Sequence, residues 1–331
     1  MPEAMNKIKA GIIGAAGYTG GELIRLLLLH PDVELASAQS TSSAGKKIYE
    51  VHTDLLGETE LIFTESFSDA VDVLFLCGGH DAARKFLTEN KLPVHPVVID
   101  LSQDFRHADN NAIGDRSFVY GLPELNRDKI KTAKSIANPG CFATSIELAL
   151  LPLASAQAIK GEIHINATTG STGAGQAPIP TTHFSWRDSN LSVYKPFTHQ
   201  HLREISESLS TLQPSLSADF VFVPQRGNFT RGILAAVHVK SDLSLTDLYK
   251  LYRDYYVSHP FVRISDTEID LKQVVNTNRC FLHIDKHNDH ILITSVIDNL
   301  LKGASGQALQ NMNIIFGLDE RVGLHLKPSA F

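Results

Sequence analysis

The sequence predicts an α/β chain in which a parallel sheet of strand–helix–strand units is followed by an α+β domain built on a mixed or antiparallel sheet. Three observations carry this. Short, continuously apolar runs alternate with helix-like stretches up to about residue 140, as in sheets covered on both faces. Later runs alternate apolar and polar residues, as half-exposed strands do. An Asn138-Pro139-Gly140 turn separates the two patterns. The 331 residues, 43% hydrophobic and 20% charged, are ordinary globular usage and enough for two domains.

The first strand, Ile8 to Ile13, runs into Gly14-Ala15-Ala16-Gly17-Tyr18-Thr19-Gly20 and then a helix over Glu22 to Leu29. Glycines at 14, 17 and 20 tighten the turn, admit a pyrophosphate to the backbone and let helix pack on strand, with the phosphate at the helix N-terminus. This predicts a Rossmann-type dinucleotide domain. The second strand, Val33 to Ala38, ends in Gln39-Ser40-Thr41-Ser42-Ser43, with no carboxylate to hold a free ribose hydroxyl. Hydroxyls at Ser40, Thr41 and Ser42, with Lys46 and Lys47 nearby, suit a 2′-phosphate and hence NADP; the alternative is a solvated polar loop. Strands over Asp72 to Cys77 and Pro96 to Leu101, with a helix over Asp81 to Glu89 between them, extend the sheet. Arg106 follows the end of the second of these and is a candidate anion holder; a surface salt bridge is its alternative.

Cys141 opens an apolar helix directly after Asn-Pro-Gly. Unpaired N–H groups and the positive end of the helix dipole favour thiolate there, which makes Cys141 a candidate nucleophile. Strands over Glu162 to Ala167, Asp219 to Val223, Gly232 to Val239, Arg279 to Ile284 and Ile291 to Ile297 build the second sheet, and Gly303 to Phe316 reads as a helix capped by Gly317. His199, His201 and Glu204 cluster after a Gly/Ser/Thr/Pro-rich loop. Their spacing lacks a third metal ligand, so no metal is expected; one histidine is a candidate general acid/base, oriented by Glu204. Two exposed histidines at a helix start are the alternative.

A net charge of −6 without a basic run argues against nucleic acid, and the longest apolar stretch is too short for a bilayer. The N-terminus lacks a signal-peptide layout, and three cysteines without CxxC spacing fit a reducing compartment. A cytoplasmic enzyme with a small-molecule substrate is expected.

Several motifs in one order resemble those of the N-acetyl-γ-glutamyl-phosphate reductase family, within the aspartate-semialdehyde dehydrogenase superfamily. They are the glycine turn at 14–20, Asp100-Leu101-Ser102-Gln103-Asp104-Phe105-Arg106, Tyr120-Gly121-Leu122-Pro123-Glu124-Leu125, Asn138-Pro139-Gly140-Cys141, Gly170-Ser171-Thr172-Gly173-Ala174-Gly175, the His199/His201 element and 298–307. The resemblance implies an NADP-binding domain over 1–140, completed by a C-terminal helix at 300–331, and a catalytic and oligomerisation domain over 141–299, in a dimer or tetramer. It carries the nucleophile role to Cys141 and the acid/base role to the histidine pair, with His201 favoured. It assigns cofactor contacts to Gly14, Gly17, Tyr18, Thr19, Gly20, Ser40, Thr41, Ser42, Gly173 and Asn299, and substrate contacts to Arg106, Asn138 and Ser171. The implied reaction is NADPH-dependent reduction of an N-acyl-γ-glutamyl phosphate through a cysteine thioester, in arginine biosynthesis. A reductase of aspartyl phosphate or of carrier-linked aminoadipyl phosphate, a non-catalytic NADP-sensing regulator and a zinc hydrolase are the rivals. Two positions depart from the family pattern, Gln176 and Arg203. A guanidinium at Arg203 beside the pocket would favour an acyl group with its own carboxylate, such as N-succinyl; outward pairing with Glu207 is the alternative.

Overall fold

The computed structural model describes residues 7–90, 92 and 95–330; the first six residues, and with them the start of the run read for a signal peptide, lie outside the described residues. The chain divides into two compact units, one running to Pro139 and taking in Ala304–His325, the other comprising Gly140–Gly303 and the tail from Leu326. The last helix is accordingly shorter than expected over 300–331. Leu301–Ser305 is a π-helical turn, the helix proper is Gly306–Ile315, and Gly317 at φ +71° stops it.

In the first unit the elements are β1 (Ile8–Ile13), α1 (Tyr18–Leu28), β2 (Val33–Gln39), β3 (Val73–Leu76), α2 (Ala82–Asn90), β4 (Val97–Asp100), the small hairpin β5 (Ala112–Ile113) and β6 (Arg116–Ser117), β7 (Val119–Tyr120), α3 (Pro123–Thr132) and β8 (Ser135–Ala137). Six of its strands form one parallel sheet in the order β2-β1-β3-β4-β8-β7. Every residue of β3, β4 and β8 is buried, which is why β3 and β4 read as unbroken apolar runs. The strand order reverses beside β1, where an open α/β sheet holds its ligand. The helix Gly306–Ile315 is buried almost throughout, so its polar residues need partners. Asn311 donates to the Gly121 carbonyl at 2.8 Å and to Asn138 Oδ1 at 3.2 Å, and just before the helix Ser305 Oγ donates to the Thr19 carbonyl at 2.9 Å.

The second unit contains α4 (Cys141–Ser155), β9 (Lys160–Thr169), α5 (Phe184–Arg187), β10 (Ser192–Val193), α6 (His201–Leu212), β11 (Phe220–Arg226), β12 (Ile233–Lys240), α7 (Leu245–Tyr256), β13 (Val262–Ser265), β14 (Cys280–His287) and β15 (His290–Ile297). The strands form a mixed seven-stranded sheet, β10-β11-β9-β12-β15-β14-β13, parallel at β11–β9 and β13–β14 and antiparallel elsewhere. Along β9, Ile163, Ile165 and Ala167 are buried while the intervening residues are not, the alternation expected of a sheet with one covered face. Helix α4 covers that face and is buried from Phe142 to Ala154. It carries Pro152 inside, which has no N–H for the Leu148 carbonyl one turn earlier. The phenol of Tyr256, on α7, donates to that carbonyl at 2.6 Å, so the helix continues through the proline with the acceptor satisfied.

Candidate functional site

The glycine turn after β1 divides its labour. Gly14 adopts φ +77°, and a Cβ there would come within 3.0 Å of the Cys77 backbone at the end of β3. A Cβ on Gly20 would lie 2.6 Å from the Ala15 carbonyl oxygen, so only glycine lets α1 pack onto the turn. At Gly17 the nearest atom to a Cβ would be 3.7 Å away, which leaves the backbone open to approach. Tyr18 and Thr19 begin α1, whose first turn has no acidic residue. Gln39, in place of a carboxylate, accepts the Gly14 N–H at 3.3 Å and donates to Thr41 Oγ1 at 3.2 Å, tying the turn to the loop of hydroxyls. In that loop Ser40 is buried, with its Oγ 3.4 Å from Ser42 Oγ, whereas Thr41 and Ser42 are exposed. A helix start without acid, an open glycine backbone and neutral hydroxyls at the end of β2 fit a phosphorylated dinucleotide.

In the same unit Arg106 is buried: its Nε donates to the Asn138 carbonyl at 2.8 Å and one terminal nitrogen to the Leu101 carbonyl at 3.0 Å. Asn138 is 1% exposed and engaged at both ends of its amide, donating to the Ala304 carbonyl at 3.1 Å and accepting from Asn311. These contacts hold the Asn138 amide in place within its own unit. Cys77 is unsuited to nucleophilic work, since burial pushes its thiol up to about 12.

Cys141 is the first residue of α4, and Gly140 is its N-cap. The N–H of Gly140 donates to Glu204 Oε2 at 2.9 Å, and Glu204 Oε1 lies 3.9 Å from His201 Nε2. The His201 ring rests on Gly140 so closely that a Cβ there would meet Nε2 at 2.5 Å. Gly303, in the π-helical turn, serves Cys141 likewise: a Cβ on it would lie 2.8 Å from that of Cys141. Asp298 holds the approach to this turn by pairing with Arg231 at 3.0 Å and accepting the N–H groups of Leu300 and Leu301. The sequence included Gly303 in a motif without indicating this contact.

His199 and His201 are 5% and 8% exposed, so they are not the exposed pair that was the alternative reading. Phe142 and Phe222 pack edge-on against His199 at 5.4 and 5.5 Å between ring centroids, and Tyr194 does so at 5.7 Å. Burial, then the neighbouring charge of His201, pushes the His199 imidazole down to about 3. Its Nδ1 also accepts the backbone N–H of His201 at 3.3 Å, so that nitrogen is unprotonated. His199 is therefore a neutral wall of the site and His201 the better candidate to move a proton. Arg203 instead pairs with Glu207 at 2.9 Å on the exposed face of α6, which removes the basis for reading an acyl-group preference from it. The histidines, Glu204 and Cys141 belong to one unit. Among the described residues no three His, Cys, Asp or Glu side chains group to hold a metal ion.

Ser171 and Gly173 lie in a 3₁₀ turn, Ser171–Ala174, beyond β9. The Oδ1 of Asn299 accepts the Gly232 N–H at 2.7 Å and its Nδ2 donates to Thr172 Oγ1 at 3.0 Å, pinning that turn. Arg226, which belongs to none of the motifs read from the sequence, stacks on Tyr194 at 4.5 Å from the ring centre.

Residues 9–133 match the family described as semialdehyde dehydrogenase, NAD binding domain, and residues 141–299 match semialdehyde dehydrogenase, dimerisation domain. The fold is that of the aspartate semialdehyde dehydrogenase of Candida albicans solved with NADP, at TM-score 0.70 and 17% identity over 94% of this chain and 98% of that one. Aspartate semialdehyde dehydrogenase II of Vibrio cholerae, complexed with ASA, superposes at 0.69 with 18% identity over 94% and 98%. Among curated proteins, the N-acetyl-gamma-glutamyl-phosphate reductase of Parabacteroides distasonis is 55% identical over 325 residues, 98% of this chain and all of that protein. Those of Bacteroides thetaiotaomicron and Flavobacterium johnsoniae are 54% and 52% identical with the same coverage. The site at Cys141 and the near-complete likeness to these proteins lead to one conclusion: the chain belongs to the N-acetyl-gamma-glutamyl-phosphate reductase family of semialdehyde dehydrogenases.

Proposed function

We propose that this protein reduces an N-acyl-γ-glutamyl phosphate to the N-acyl-glutamate 5-semialdehyde, releasing phosphate, as a step of arginine biosynthesis. The observation that carries this reading is a cysteine at a helix start with a buried His201–Glu204 pair against the residue before it, in a chain 55% identical to reductases of that name. NADPH, when bound through the glycine turn and the hydroxyls of 40–42, supplies the hydride.

The thiolate of Cys141 attacks the acyl carbon, phosphate leaves, and a thioester forms on sulfur. Backbone N–H groups at the start of α4 stabilise the negative oxygen. After hydride addition to the thioester carbon, His201 protonates the thiohemiacetal oxygen and takes that proton back as the C–S bond breaks, releasing aldehyde and thiolate. Ser171 and Arg106 are assigned to substrate, and Gly173 and the turn held by Asn299 to cofactor. The second unit matches a dimerisation domain, and the assembly we propose is a homodimer or a tetramer.

The test is the reverse reaction with N-acetyl- and N-succinyl-glutamate semialdehyde, aspartate semialdehyde, NADP and phosphate. Turnover of an N-acyl-glutamate semialdehyde in preference to aspartate semialdehyde supports the reading. The opposite preference, or no phosphate-dependent turnover, overturns it.

A further inference from the structure

Arg226 closes β11, its backbone paired with Thr169 of β9 and Ser192 of β10. Its carbonyl also accepts from the buried guanidinium of Arg187, so the residue is held firmly at its root. Its guanidinium stacks on the Tyr194 ring. The Nε is shut off from water and has no hydrogen-bond partner among the described residues. No carboxylate pairs with Arg226 or Arg187 among the described residues; the donors of Arg187 go to carbonyls and to the Ser192 hydroxyl. Two guanidinium groups close enough to repel each other, without a counter-ion, are costly in a half-dry site.

Tyr194 links this charge to the chemistry. Arg226 covers its face, His199 touches its edge, and its phenol is pushed up by burial and then by the proximity of Cys141. A planar fork whose Nε–H has no protein acceptor among the described residues is suited to take a carboxylate side-on. Resting on the reading of Cys141 as the acylated nucleophile, we propose that Arg226 is a specificity-determining residue that holds a carboxylate of the acyl substrate at the end away from the acyl phosphate. That carboxylate belongs to the glutamyl α-carbon or to the N-acyl group, and the chemistry at Arg226 is the same for both.

The first measurement needs no turnover. N-Acetylglutamate is titrated as a protectant of Cys141 against iodoacetamide, followed by intact mass, on the wild-type chain, Arg226→Gln and Arg226→Lys. We expect the half-protecting concentration to rise at least about tenfold in Arg226→Gln and less in Arg226→Lys, with the unprotected alkylation rate and the Tm nearly unchanged. In the reverse assay Arg226→Gln should raise KM for the semialdehyde about tenfold and leave KM for phosphate and NADP within about twofold. Two substrate arms locate the carboxylate. If the α-carboxamide analogue is as poor for wild type as the parent is for the variant, the α-carboxylate is held; a wild-type preference for N-succinyl that disappears in Arg226→Gln assigns the acyl carboxylate. Unchanged protection in Arg226→Gln, or an equal rise in KM for phosphate, overturns the proposal. Protection that depends on Arg226 without turnover of any N-acyl substrate upholds it and overturns the reaction assigned above.

Discussion

Glu204 accepts the backbone N–H of Gly140 at 2.9 Å, although 64 residues separate them, and its second oxygen faces His201. One buried carboxylate thus fixes the turn that launches the Cys141 helix and steadies the imidazole lying on that turn. The proposed nucleophile and the proposed proton donor therefore share a support.

Cys141→Ala is expected to abolish reductase activity and leave NADPH affinity within about twofold, because the glycine turn belongs to the other unit. Fluorescence titration of NADPH beside a steady-state assay checks both halves. Residual turnover within tenfold of wild type would sink the nucleophile assignment.

Replacing His201 by Asn should cost on the order of 100-fold or more in kcat, the usual worth of a positioned general acid. His199→Asn should cost clearly less, since its imidazole is neutral and serves as packing. Single-turnover kinetics on both variants decides between them, and the reverse ranking would transfer the role to His199.

The neutral His199 has a signature in stability. Its folded-state value, about 3, lies below the ordinary 6.5, so the native state binds fewer protons than the unfolded chain between those limits. The contribution is present above pH 6.5 and is lost as pH falls toward 3. Urea unfolding at pH 7.5 and pH 5 should therefore show wild type losing up to about 2 kcal/mol more than His199→Gln over that interval. Parallel losses in the two proteins would refute it.

NADPH should be preferred over NADH by about tenfold or more in kcat/KM. Thr41→Asp, at an exposed position of the hydroxyl loop, should shift that preference toward NADH by repelling a 2′-phosphate; burial makes Ser40 the poorer choice for a new charge. Equal specificity constants in the wild type would remove the cofactor assignment.

The two sheets were legible because burial on both faces and burial on one leave different periods in the sequence. β8 was not, since Ser135–Ala137 is too short to show a period. The start of α4 could be read from Asn-Pro-Gly, and the histidines from their clustering. Their burial could not, because Phe142, Tyr194 and Phe222 come from three places far apart in the chain. Arg203 was legible in retrospect: His201 and Glu204, three apart, share the inward face of α6, and a residue between them turns to solvent, where Glu207 four positions on meets it. Arg226 gave no local signal, since its surroundings arise from the pairing of β10 with β11.

The proline inside α4 makes two distant residues interdependent. Tyr256 is indispensable to the Leu148 carbonyl only while residue 152 lacks an N–H, so Tyr256→Phe should cost about 1–3 kcal/mol in the wild type and much less in a Pro152→Ala background. Neither position is then free to drift alone. A history of substitution in this chain would pass more readily through loss of the ring first and of the hydroxyl second than through the reverse order.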